Sequence, residues 1–159
     1  MHILFTETEL RARVTALARE IAAATAGDLH VVGVLTGAFV FLADIIRQLD
    51  RPLTVDFVSA SSYGRAMTSS GTVTWLKGIS TPVTGRQVLL IDDIVDTGRT
   101  LAAIQHHLLS EGPRSLRTVC LLDKPSRREV PVLVDHVGFE IENRFVVGYG
   151  LDASGLHRN

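Results

Sequence analysis

Asp92, Asp93 and Asp96 crowd into one stretch, VLLIDDIVDTGRT (88–100), the first two directly after four apolar residues. A buried strand has no use for unpaired carboxylates, so acids placed there point to a ligand. Two neighbouring carboxylates can accept hydrogen bonds from a vicinal diol, or face a cation; they would repel a phosphate. The residues that follow, Asp96-Thr97-Gly98-Arg99-Thr100, have the opposite character. Gly98 lets backbone approach a ligand closely, and Thr97 and Thr100 add hydroxyl donors. A helix beginning here would offer free N–H groups and the positive end of its dipole, which suit an anion. A ligand with a phosphate at one end and a ribose diol in the middle satisfies both halves. The same residues also permit a plainer arrangement, with Asp96 capping a helix and Asp92 and Asp93 solvated in a loop. Neither GxxxxGK[ST] nor GxGxxG occurs in the chain, which sets aside the P-loop and the dinucleotide fingerprint.

These side chains need a scaffold, and the apolar pattern supplies one. Thr6 and Glu9 form a capping-box pair ahead of Leu10, Val14, Leu17, Ala18 and Ile21, which recur at helical spacing, and Gly27 can end that helix. Residues 31–35 read as a buried strand broken by Thr36-Gly37, followed by a mainly apolar helix over 38–49. Further strands are expected over 53–60, 88–91, 116–122 and 145–148, with another offered by 136–141, and a helix over about 99–110. Strands apolar throughout and alternating with helices imply a parallel sheet covered on both faces. In such a sheet ligands bind beyond the carboxyl ends of the strands, where Asp92 and Asp93 emerge if their strand closes at Ile91. About twenty residues from Tyr63 to Thr84 break the rhythm; a mobile hairpin containing Val73-Thr74-Trp75-Leu76 is one reading, a tolerated surface insertion the other.

The chain has 159 residues, 46% of them hydrophobic and 21% charged, which suits one soluble domain with a single sizeable core. A net charge of −1 and no basic stripe point away from nucleic acid. No apolar run reaches the ~18 residues that would span a bilayer, and the N-terminus lacks the form of a signal peptide, so a cytoplasmic protein is expected. One cysteine, Cys120, excludes a disulfide framework and reads as a small buried apolar residue. Lys77 and Lys124 are the only lysines, which makes Lys124 conspicuous.

Four apolar residues, two acids, two apolar residues and then Asp-Thr-Gly with a Thr closely resemble the phosphoribosyl pyrophosphate signature of type I phosphoribosyltransferases. LTGAF (35–39) is similar to the pyrophosphate loop of the hypoxanthine-guanine branch of that family, and SASSYG (59–64) to the start of its mobile catalytic loop. LLDKPSRREV (121–130) and FVVGYGLD (145–152) are similar to its purine-site segments. The resemblance implies an α/β fold of the type I phosphoribosyltransferase kind: a parallel sheet flanked by helices, a mobile loop at about 62–80, and a small hood from the N-terminal segment and the C-terminal residues. It implies a single domain over 1–159 that joins a 6-oxopurine to phosphoribosyl pyrophosphate, with Mg²⁺ as cofactor and a homodimer or homotetramer as the assembly.

Roles follow position by position from that resemblance. Asp92 and Asp93 would bind the ribose hydroxyls, and Asp96 would face purine N7 as the acid/base. Asp96, Thr97, Gly98, Arg99 (through its backbone) and Thr100 would cradle the 5′-phosphate. Thr36, Gly37, Arg128 and Arg158 would meet pyrophosphate, with the peptide before Thr36 often cis in this family. Lys124 would donate to the 6-oxo group, Phe145 would stack on the ring, and the Val146 backbone would read the base edge. Asp152 would border the purine and, with Asp92 and Asp93, hold the metal. Ser62 and Tyr63 would cap the site. Lysine has donors and no acceptor, so Lys124 favours an oxo group over the amino group of adenine. The chain departs from the family in having Asp-Asp where Glu-Asp is common, and Ala153-Ser154-Gly155 where an aromatic residue often follows Asp152.

Overall fold

The computed structural model describes residues 2–61 and 73–159. Ser62, Tyr63 and residues 64–72 of the expected loop lie outside the described residues.

Helix α1 (Glu7–Ala24) begins as its capping box predicts. The Thr6 hydroxyl accepts the Glu9 N–H at 3.3 Å, and the Glu9 carboxylate accepts the Thr6 N–H at 2.7 Å. Strand β1 (Leu29–Val34), helix α2 (Phe39–Ile46) and strand β2 (Leu53–Ser61) follow. The short strand β3 (Thr74–Lys77) pairs antiparallel with β2, as the hairpin reading of Val73 to Leu76 requires. Strand β4 (Gln87–Val95), helix α3 (Arg99–Ser110), strand β5 (Ser115–Asp123) and strand β6 (His136–Glu140) complete the order. The sheet runs β3-β2-β1-β4-β5-β6, and every pairing except β2–β3 is parallel.

Strand side chains alternate between two faces, so β4 feeds two cores. Leu89 and Ile91 pack under α1 and α2 with Leu17, Ile21, Phe41 and Ile45. Val88 and Leu90 pack under α3 with Leu101, Ile104 and Leu108. The alternation of β- and α-elements therefore gives a covered parallel sheet, as expected from its apolar strands. Cys120 lies buried in the second of these clusters.

Two expectations are corrected. Strand β4 does not close at Ile91 but runs to Val95, so Asp92 and Asp93 lie within a strand. Pairing with β1 stops at Gly33–Ile91, whereas pairing with β5 continues to Val95–Asp123. Four residues of β4 thus overhang β1, supported by β5 alone on one side. The second correction concerns residues 145–148, which form no strand. The edge of β5 is already taken by β6, and the chain turns through positive φ at Gly148, Tyr149 and Gly150 around a lone Gly148–Leu151 bridge.

Candidate active site

The β4 overhang, the turn after β1 and the turn after β5 meet at one rim of the sheet. Asp92 is buried there, 6% exposed. Its Oδ1 accepts the Asp93 N–H at 2.9 Å, and Asp93 Oδ1 accepts the Ile94 N–H at 2.9 Å. Burial first, and then the neighbouring Asp93 charge, push the Asp92 carboxyl well above the ordinary carboxylate range. Burial raises Asp93 as well, while the positive charge of Arg158 works in the other direction. Neither carboxylate has an ion-pair partner within 4 Å among the described residues, so the pair is a crowded acceptor awaiting donors.

The turn after β1 lies directly against this pair. A Cβ on Gly37 would overlap the Asp93 carboxylate, and a Cβ on Gly150 would overlap the Gly37 carbonyl. The Leu35–Thr36 peptide is cis, as the resemblance implies for this position. Arg158 is held beside these turns. It donates to the Gly150 carbonyl at 2.6 Å and pairs with Asp152 at 3.1 Å. Asp152 also accepts the Gly155 N–H at 2.5 Å.

On the other side of the acids, α3 begins at the rim. Gly98 sits at φ 85°, and a Cβ there would lie 3.0 Å from both Arg128 Cδ and the Val130 carbonyl. Only glycine meets both demands without strain. Thr97 Oγ1 accepts the Arg99 N–H at 3.3 Å. The Arg99 side chain turns away to Glu129 at 2.7 Å, leaving its backbone at the cradle. A cavity of about 370 Å³ opens here, lined among others by Asp92, Asp96, Thr97, Gly98 and Thr100.

The turn after β5 brings three cations to Asp96. Lys124 is 6% exposed, donates its N–H to the Val95 carbonyl at 2.9 Å, and places Nζ 3.8 Å from Asp96 Oδ2. Arg127 Nε lies 3.0 Å from Asp96 Oδ1. Arg128 donates to the Asp96 carbonyl at 2.8 Å and pairs with Asp123, so its guanidinium braces the turn from below. Phe145 is 79% exposed, with no ring contact among the described residues, and borders the same cavity as Val146. Val146 is partly buried and lines a separate, mostly apolar cavity of about 460 Å³ with Leu4, Phe5, Leu121 and Leu151.

The fold therefore gathers Thr36, Gly37, Asp92, Asp93, Asp152 and Arg158 at one end of the rim, and Asp96 to Thr100 with Lys124 at the other. Arg128, expected with the pyrophosphate group of residues, lies instead at this second end because the Asp96 carbonyl and Asp123 hold its guanidinium. Arg127, which sequence reasoning passed over in favour of its neighbour, lines the cavity beside α3. Adjacent arginines after a strand could have raised the question of which one faces in. The three-residue 3₁₀ turn Pro125–Arg127 decides it, and nothing in the sequence announces that turn beyond its proline.

An open parallel α/β sheet with paired acids and a glycine-opened helix at one rim is a phosphosugar-binding arrangement. The phosphoribosyl transferase domain family matches residues 4–154, and the chain belongs to that family. It is 44% identical to the hypoxanthine-guanine phosphoribosyltransferase of Aquifex aeolicus, over 100% of this chain and 90% of that one. A hypoxanthine-guanine phosphoribosyltransferase structure from Bacillus anthracis superposes with a TM-score of 0.95 at 41% identity, over 100% of this chain and 94% of that one. The hypoxanthine phosphoribosyltransferase of Trypanosoma cruzi in complex with IMP gives 0.90 at 41% identity, over 98% and 88%.

Proposed function

We propose that this chain is a purine-salvage phosphoribosyltransferase. It transfers the 5-phosphoribosyl group of phosphoribosyl pyrophosphate to N9 of hypoxanthine, and of guanine, yielding IMP or GMP and pyrophosphate. The observation that carries this reading is the Lys124–Asp96 pair, 3.8 Å apart beside the α3 cradle. A donor-only cation next to a carboxylate suits a 6-oxopurine, whose carbonyl accepts and whose imidazole edge exchanges a proton. The 40–44% identity to hypoxanthine phosphoribosyltransferases over essentially the whole chain supports it.

In the reaction the purine N9 lone pair forms the new bond to C1 as the C1–O bond to pyrophosphate breaks. Asp92 and Asp93 accept the ribose hydroxyls, and Thr97 to Thr100 hold the 5′-phosphate, which fixes C1 between nucleophile and leaving group. Asp96 takes up the proton that leaves the purine imidazole as positive charge develops there. Lys124 donates to O6, Phe145 covers the exposed face of the ring, and the Val146 backbone borders its edge. The N–H groups of the 36–37 turn face the leaving pyrophosphate, with Arg158 alongside and Arg128 steadying the loop beneath. Ser62 and Tyr63 belong to the loop that excludes water from an oxocarbenium-like transition state.

A divalent cation fits the acids present. Asp92 and Asp93 are crowded, and burial raises both. Among the described residues no group of three His, Cys, Asp or Glu side chains is close enough to enclose a metal alone. Asp92, Asp93 and Asp152 would therefore hold Mg²⁺ together with ligand oxygens, and the ion would neutralise charge on the pyrophosphate. The unit spans 1–159, with a hood from the N- and C-terminal segments. It works in the cytoplasm as a homodimer or homotetramer, and among the described residues no helix is long and apolar enough to cross a membrane.

The test is nucleotide formation from phosphoribosyl pyrophosphate and Mg²⁺ with hypoxanthine, guanine, xanthine or adenine in turn. Hypoxanthine and guanine are the expected substrates. No product from any base would overturn the enzyme, and adenine as the best substrate would overturn the assignment of Lys124.

A further inference from the structure

Arg127 has a position that none of the roles above uses. Among the described residues it is the only cation lining the cavity beside α3, whose other charged groups are Asp92 and Asp96. Its guanidinium is turned onto Asp96, with Nε 3.0 Å from Oδ1, while Lys124 approaches the other oxygen at 3.8 Å. Both oxygens of the acid/base thus face cations. The two arrangements are not equivalent. Lys124 is 6% exposed and anchored through its backbone to Val95, whereas the Arg127 side chain is 44% exposed and has Asp96 as its sole side-chain partner among the described residues.

A phosphate entering this cavity brings about two negative charges next to Asp96. A guanidinium binds phosphate in a planar, two-pronged geometry that a lone carboxylate oxygen cannot match. We propose that Arg127 is a positioning residue that changes partners. In the free protein it holds Asp96, and when the 5′-phosphate arrives it turns to the phosphate and releases Asp96 Oδ1 for the purine N–H. Phosphate binding and purine binding are then coupled through one side chain. The coupling is reciprocal, because each ligand removes the same ion pair that opposes the other.

The inference rests on the phosphoribosyltransferase reading, and binding measurements separate the two. The full chain is titrated with hypoxanthine by calorimetry, alone and with saturating 1-deoxyribose 5-phosphate. That probe carries the phosphate and the diol, leaves room for the base and cannot react. The wild-type chain should bind hypoxanthine about tenfold more tightly with the probe present, within the usual range of coupling between sites. In Arg127→Gln the probe should bind more weakly, and hypoxanthine alone more tightly than in wild type. The difference between the two hypoxanthine titrations should shrink to about twofold or less by the same linkage. Arg127→Lys, which keeps the charge but not the two-pronged geometry, should restore part of the coupling, a partial rescue that a loss of fold could not produce. Unchanged coupling in Arg127→Gln, or unchanged probe affinity, would overturn the partner exchange while leaving the enzyme reading intact. Failure of the wild-type chain to bind either ligand would instead overturn the enzyme reading.

Discussion

Asp96 and Asp92 are the same residue type four positions apart, and their surroundings give them different work. Asp96 is partly exposed and faced by Lys124 and Arg127, within reach of a ligand entering the cavity beside α3. Asp96→Asn keeps the shape and removes the capacity to take a proton. Turnover should fall by ~10²- to 10⁴-fold, the usual worth of a positioned acid/base, with hypoxanthine affinity changed far less; steady-state rates beside binding titrations measure the two separately. Asp92 is buried against Asp93, and its carboxyl is raised well above the ordinary range. A raised folded-state value means that stability is fully present below the unfolded value, near ~3.9. It declines as pH rises towards the folded value, because the unfolded chain ionises first. Asp92→Asn removes this decline. The variant should be more stable than wild type at pH 7 by ~0.5–2 kcal/mol, the range typical where a strained site is relieved. The gap should close below about pH 4, and affinity for phosphoribosyl pyrophosphate should be lost; urea melts across pH test the first part. The gathering of Asp92, Asp93, Asp96 and Lys124 at one rim was legible, the acids from residue type and position after an apolar run and Lys124 from the family resemblance. Arg127 was not, since the choice between two adjacent arginines depends on one 3₁₀ turn.

At the scale of elements, the rim works because β4 is longer than its apolar run. Acids at 92 and 93 look like the end of a strand, since hydrophobicity stops there, but hydrogen bonding to β5 continues to Asp123. Backbone pairing costs nothing in side-chain polarity when one face opens onto a ligand site, and no apolar pattern records that. The opposite error occurred at 145–148, where Phe-Val-Val reads as a strand by composition although the segment joins no strand of the sheet and turns through positive φ from Gly148 to Gly150. Helix α3 begins at Arg99 as its pattern indicates, because Gly98 marks the boundary by both conformation and closeness. Gly98→Ala tests that junction. Its φ of 85° disfavours any side chain, and the new methyl would press on the Val130 carbonyl and Arg128 Cδ at 3.0 Å. Destabilisation of ~1–3 kcal/mol is expected from the left-handed strain. It should come with a KM for phosphoribosyl pyrophosphate raised more than that for hypoxanthine, because the methyl tilts the N–H groups of the cradle and leaves Lys124 in place. Equal effects on both KM values would mean that Gly98 serves the fold alone.

Across the whole molecule, two apolar clusters hold the sheet from either face and leave its carboxyl rim to a ligand that joins segments far apart in sequence. The nucleotide product proposed above would touch the β4 overhang, the start of α3, the turn after β5 and the 145–152 segment at once, so its binding should stabilise the fold as a unit. A ligand at a hundredfold its Kd adds ~2.7 kcal/mol to a protein that binds it only when folded. At ~2–4 °C per kcal/mol for a chain of this size, IMP at that excess should raise Tm by roughly 5–11 °C. AMP shares the phosphate and the diol but offers Lys124 an amino group that cannot accept its proton. At the same concentration AMP should therefore raise Tm by clearly less. Lys124→Ala should bring the two shifts together mainly by lowering the IMP shift, since the phosphate cradle and the acid pair are untouched. Equal shifts for the two nucleotides with Lys124 intact would mean that the sugar-phosphate end carries all the binding, and that the base is chosen elsewhere on the molecule.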